Sequence, residues 1–156
     1  MKKLYGYICK IEELVVQTFL FSIVTLVFIS ALARTLKYPL NWAIDVSLLL
    51  FAWVVFLGAD MALRNTDLVN VDLILRRFSE KGQTMVNLFW NLVILTFLGG
   101  LLWYGTILSI ESVTRLFQTL EISYSWATIS VPIGAFLMMI TTLIKMVKAY
   151  NKILKV

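Results

Sequence analysis

Asp60 is the one acid set well inside an apolar run of this 156-residue chain, and Arg64 follows it four residues later. An ionisable residue at that depth in apolar sequence could coordinate a cation or carry a proton. The competing reading is structural. On a helix, residues four apart share a face, so Asp60 and Arg64 can pair directly. Asp60 also stands about 6 Å, four residues of helical rise, from the end of its run. Both side chains can lean towards a polar boundary, which lowers the few kcal/mol that a deeply placed charge costs. The residues favour an ion pair over an ion path. Glu111 and Glu121 bracket a short polar connection and read as solvated.

Other chemistry is thinly supplied. The chain has no histidine and a single cysteine, Cys9. Bis-histidine haem anchoring, histidine proton relays, an internal disulfide and a CxxC redox pair are therefore excluded. No GxSxG, phosphate-binding loop, Asp-rich metal motif or His–Cys set occurs. The reading is of a chain without catalytic residues, cofactor or metal site.

The elements that position these residues follow from the spacing of charge. Leu14 to Ala33, Gly82 to Ile110 and Ile122 to Ile144 carry no charge, and Val46 to Leu63 carries only Asp60. Crossing a hydrocarbon core of ~30 Å takes about 20 mainly apolar residues as helix. Sixty percent of residues are hydrophobic, and these runs lack the polar face of a soluble helix. The fold class is an all-α membrane protein, one integral membrane domain over residues 1–156. Its four spans lie at about 13–33, 42–64, 83–110 and 124–147. The third run, 29 residues long, would reach roughly 43 Å as one helix, so it must tilt or protrude. Lys2, Lys3 and Lys10 before an apolar run, with Ala31-Leu32-Ala33 after it, resemble a signal peptide. The run is longer than a signal core of about 7–15 residues, so an uncleaved first span is expected.

Between the second and third spans, Leu68, Val71, Leu75 and Phe78 recur near helical spacing, with Asp72, Arg76, Arg77 and Glu80 largely between them. This predicts a short amphipathic helix over about 68–81 lying in the membrane interface. Eleven Lys and Arg fall on the side of the two termini and this middle loop, and three (Arg34, Lys37 and Arg115) on the other. The positive-inside rule then places both termini in the cytoplasm. The basic excess reads as topology rather than as nucleic-acid binding.

Smaller signals concern packing. Pro39 breaks the chain after the first span. Asn41 is a candidate cap for the second, with Asp45 in its first turn. Tyr38, Trp42 and Trp126 stand at span ends, where amphipathic rings favour the interface. Gly58 with Ala62, Gly105 with Ser109 and Ser130 with Gly134 are small-residue pairs four apart, which let helices approach. Trp53, Trp90 and Trp103 fall inside apolar runs, where an indole N–H favours a protein neighbour over lipid. Pro132 removes one hydrogen bond from the fourth span and can kink it.

Read in order, these residues resemble a family. Trp42-Ala43-Ile44-Asp45, Trp53-Val54-Val55-Phe56-Leu57-Gly58-Ala59, Ala62-Leu63-Arg64 and Val71-Asp72-Leu73-Ile74 resemble the signature of the small, DctQ-like Q subunit of tripartite ATP-independent periplasmic (TRAP) transporters. Trp126 and Val131-Pro132-Ile133-Gly134 to Leu137-Met138 are similar to that family's last span. The chain departs from it at Asp67-Leu68, where many members carry histidine, and at the single Asp45, where paired glutamates are frequent. The resemblance implies a four-helix scaffold in a bacterial inner membrane. Its partners would be a larger M subunit, which moves substrate and sodium, and a periplasmic substrate-binding protein. It implies symport of an organic acid, with sialic acid and C4-dicarboxylates among the family's substrates. Trp53, Gly58, Asp60, Arg64, Asp72, Arg76, Arg77, Pro132 and Gly134 are the candidates for structural or partner-interface roles. The alternative is a self-sufficient four-helix transporter of the multidrug type. Such a protein needs an acid near mid-membrane in its first span, whereas Glu12 and Glu13 stand at the edge of this one.

Overall fold

Long apolar runs in this chain become long helices, because in hydrocarbon every backbone N–H and C=O must be satisfied within the segment. The computed structural model describes residues 2–65 and 80–153. Helix α1 spans Lys2–Thr35, α2 Asn41–Asn65 and α3 Glu80–Glu111; a short α4, Ser125–Thr128, leads into α5, Ser130–Ile153. Among the described residues, four stretches are long and apolar enough to cross a membrane: Cys9–Thr35, Asn41–Arg64, Leu88–Thr114 and Ser125–Val147. The amphipathic helix expected over 68–81, with Asp72, Arg76 and Arg77, lies almost wholly outside the described residues. Of that range, Glu80 and Lys81 already belong to α3.

Several threonine hydroxyls inside the spans are satisfied locally. The hydroxyls of Thr18, Thr25, Thr96 and Thr106 each donate to the carbonyl one turn back. Such bonds let a hydroxyl sit in lipid without a partner helix. Helix α1 ends in a Schellman turn: the Tyr38 N–H donates to Ala33 O and the Lys37 N–H to Arg34 O. Lys37 adopts φ 64° there, the left-handed position that glycine usually takes. Asn41 is the first residue of α2 rather than its cap, and Asp45 lies beyond the first turn. Asp45 instead accepts the Thr119 N–H at 2.8 Å.

Thr119 belongs to a hairpin that joins α3 to α4. Leu116 and Ser123 form an antiparallel bridge, and the Phe117 and Tyr124 rings stack with centroids 4.9 Å apart. The hairpin is folded back onto the start of α2 by the Asp45 contact. Among the described residues, the main helix contacts run in the order α1, α2, α5, α3. The helices thus form an open row rather than a closed bundle, with α2 and α5 central. One core lies between α1 and α2 around Val16, Val54 and Leu57. A second lies between α2, α5 and α3 around Leu98, Ala135 and Met138.

Candidate functional site

Arg64 stands on the last turn of α2 and is the hub of a polar network that joins three helices. Its guanidinium pairs with Asp60, one turn back, and with Glu12 of α1. Asp60 accepts a further bond from the Thr141 hydroxyl of α5 at 2.7 Å. The side chains of Asp60 and Glu12 are only 3% and 5% exposed. Two carboxylates therefore converge on one cation within apolar surroundings, and a hydroxyl donates to one of them. Such an arrangement is stabilising only while every member is in place, since each lone charge would carry its full desolvation cost.

The pairing of Asp60 with Arg64 follows from their spacing, but the other two members do not. Glu12 stands near the start of the first span, Cys9–Thr35, but α1 continues back to Lys2 and Glu12 is buried against α2, paired with Arg64. Tyr38, at the connection, stands midway in sequence between Glu12 and Arg64. In an antiparallel pair this sets them at equal depth, which is the signal that could have found Glu12. Thr141 is one threonine among many and carries no such signal.

The other candidates separate into two groups. Gly134 lies where α5 crosses α2: a Cβ there would fall 2.5 Å from Phe56 Cβ and 3.3 Å from its Cα. Gly105 of α3 meets Val131 and Pro132 in the same way, at 2.8 and 3.3 Å. Pro132 is thus part of the α3–α5 contact. It also lacks the N–H that would bond the Thr128 carbonyl. Near this break the Ser130 hydroxyl donates to Ala127 O at 2.7 Å. By contrast, a methyl group placed on Gly58 would meet nothing within 4 Å, so Gly58 marks no close helix approach among the described residues.

The tryptophans also divide. The Trp53 indole donates to Trp126 O at 3.0 Å, tying α2 to α4. Trp90 and Trp103 instead project outward, 52% and 69% exposed, so the described residues do not supply the expected protein neighbour. Among the described residues, no group of three or more acids, histidines or cysteines could hold a metal ion.

Residues 23–152 match the family described as tripartite ATP-independent periplasmic transporters, DctQ component. The chain belongs to the DctQ family. It is a multi-pass membrane protein and a component of a TRAP transporter. The DctQ match takes in α2, α3 and the greater part of α5, with the latter part of α1, but begins after Glu12. The chain is also similar to the sialic acid TRAP transporter permease protein SiaT of Haemophilus influenzae (strain 86-028NP). The two are 27% identical over 134 residues, 85% of this chain and 22% of that relative. The chain thus spans about a fifth of the length of the relative it matches.

Proposed function

We propose that this chain is a small, non-catalytic scaffold subunit that braces a larger permease subunit during sodium-coupled uptake of an organic acid. A periplasmic substrate-binding protein would deliver the substrate. The observation that carries this reading is the use of Asp60. The one acid deep in the second span is held by Arg64 and Thr141, so it serves cohesion between helices rather than a path for ions. The open helix row, with outward Trp90 and Trp103, supports lasting contact with another membrane protein. The name of the SiaT relative makes sialic acid the first substrate to test, with C4-dicarboxylates next.

Burial of Glu12 in α1 is the feature that favours a self-sufficient small transporter. Its engagement by Arg64 argues against a freely exchanging acid. Reconstitution in liposomes under a sodium gradient separates the two. The chain alone should give no saturable uptake, and uptake should need the larger subunit and the binding protein together. Organic-acid uptake or drug–proton exchange by the chain alone would overturn the scaffold reading.

The basic bias supports cytoplasmic termini in a bacterial inner membrane. In a Cys9→Ser background, Lys37→Cys and Arg115→Cys should react with an impermeant reagent from outside. Arg77→Cys and Lys152→Cys should not, and the reverse pattern would invert the topology.

A further inference from the structure

At the end of the α1–α2 pair remote from Arg64, a cavity of about 240 Å³ opens between the two helices. Val27, Ala31 and Ile44 give it apolar walls. Ser30 and Ser47 also line it, but their hydroxyls donate to Leu40 O and Ala43 O at 3.5 and 2.7 Å. The interior is therefore effectively apolar. Its volume is below the ~300–1,000 Å³ of pockets that enclose compact drug-sized ligands, which suits a slender alkyl chain.

The rim has the opposite character. Arg34 lines the cavity and is exposed, and its guanidinium has no hydrogen bond or ion pair among the described residues. Lys37 follows in the turn that ends α1, its N–H bonded to the Arg34 carbonyl, and is also exposed. The sequence offers no acid between Arg34 and Asp45, and Asp45 is engaged by the Thr119 N–H. Cations thus sit at the polar end of a groove whose body lies in the membrane-spanning part of both helices. An apolar slot beneath a guanidinium has the polarity profile of a phospholipid, and a guanidinium is suited to bidentate contact with phosphate.

We propose that this groove is a phospholipid site, with an acyl chain along Val27, Ala31 and Ile44 and the lipid phosphate on Arg34 beside Lys37. The site needs neither the scaffold reading nor a particular orientation, since either leaflet supplies such lipids.

The test uses the full chain in nanodiscs of phosphatidylethanolamine and phosphatidylglycerol. A fraction of the phosphatidylglycerol carries a photoreactive acyl chain, and adducts are mapped by mass spectrometry. Phe97 of α3, also outward-facing, is the reference for general lipid contact. Labelling at Ala31 and Ile44 should exceed that at Phe97. Each cation removed, by Arg34→Gln or Lys37→Gln, should lower the groove signal about fivefold and leave Phe97 unchanged. Arg34→Lys should retain most of it, which separates loss of charge from misfolding. Ala31→Phe should abolish groove labelling with both cations present. Groove labelling equal to that at Phe97, or unmoved by the charge variants, would overturn the proposal. Displacement by excess inorganic phosphate would do so too, by assigning the cations to a soluble anion.

Discussion

The α1–α2 seam and the seams of α5 differ in the balance of charge and close packing that holds them. Helix α1 is peripheral and touches mainly α2; there the contact includes the buried Glu12–Arg64 pair. Helix α5 is central, and its contacts with α2 and α3 rest on Gly134, Gly105 and Ala135, with Ala135 fully buried. In lipid, no hydrophobic force drives helices together, so packing and polar contacts must do it. A central helix with two neighbours gains enough close packing from small residues. Helix α1 packs an apolar core of Val16, Val54 and Leu57 with α2 and adds a charge pair to it. The comparison teaches that buried charge adds to packing at the α1–α2 seam and reaches α5 only through the Thr141–Asp60 bond.

Breaking the charge network should give the largest effect. Arg64→Met leaves Glu12 and Asp60 buried without their cation, and removal of one partner of a buried pair typically costs about 3–5 kcal/mol. We expect a large fall in thermal stability of the detergent-solubilised chain. Adding Glu12→Gln and Asp60→Asn should restore most of it, because a neutral network has no stranded charge. If the triple variant is as unstable as Arg64→Met, shape rather than charge dominates the α1 seam.

The same substitution at two glycines sharpens the contrast. Gly134→Ala sets a methyl against the stem and backbone of Phe56. Neither can rotate away, so α5 must shift, and overpacking of this kind costs about 1–3 kcal/mol. Gly58→Ala meets nothing within 4 Å and should leave the melting temperature of the chain unchanged or slightly raised, since alanine favours helix. A fall at Gly58 equal to that at Gly134 would show that helix geometry, not the α2–α5 approach, sets the sensitivity.

Much of this architecture is legible in the sequence, for reasons visible at particular residues. Gaps between charges mark the four membrane-length helices because lipid excludes charge independently of neighbours. The Asp60–Arg64 pair is legible because it lies within one helix, where spacing alone sets distance. Contacts between helices are not. Small-residue spacing is similar at Gly58 and Gly134, yet only Gly134 of the two meets a neighbour, because periodicity identifies a face and not what covers it. Trp90 and Trp103 show the same limit from the opposite side: an apolar run fixes their depth but not whether protein lies beyond the ring. The charge pattern places Glu12 near the start of the first span, but not its burial, because that depends on Arg64 of α2 covering the carboxylate.

The finest distinction between the seams lies in two adjacent threonines. Thr141 donates to the Asp60 carboxylate at 2.7 Å, and Thr142 to the Met138 carbonyl of its own helix at 2.8 Å. Both are buried, and valine replaces either with little change of shape. A hydrogen bond to a charged group contributes about 1.5–3 kcal/mol, and one between neutral groups about 0.5–1.5 kcal/mol. At position 142 the carbonyl also keeps its ordinary helical N–H partner, so the loss should fall at the low end of that range. Thr141→Val should therefore lower stability more than Thr142→Val. The difference should shrink in an Asp60→Asn, Glu12→Gln, Arg64→Met background, where the acceptor becomes a neutral amide oxygen. Equal effects in the native background would mean that α5 is held to α2 by packing alone and that the charge network stops at α1.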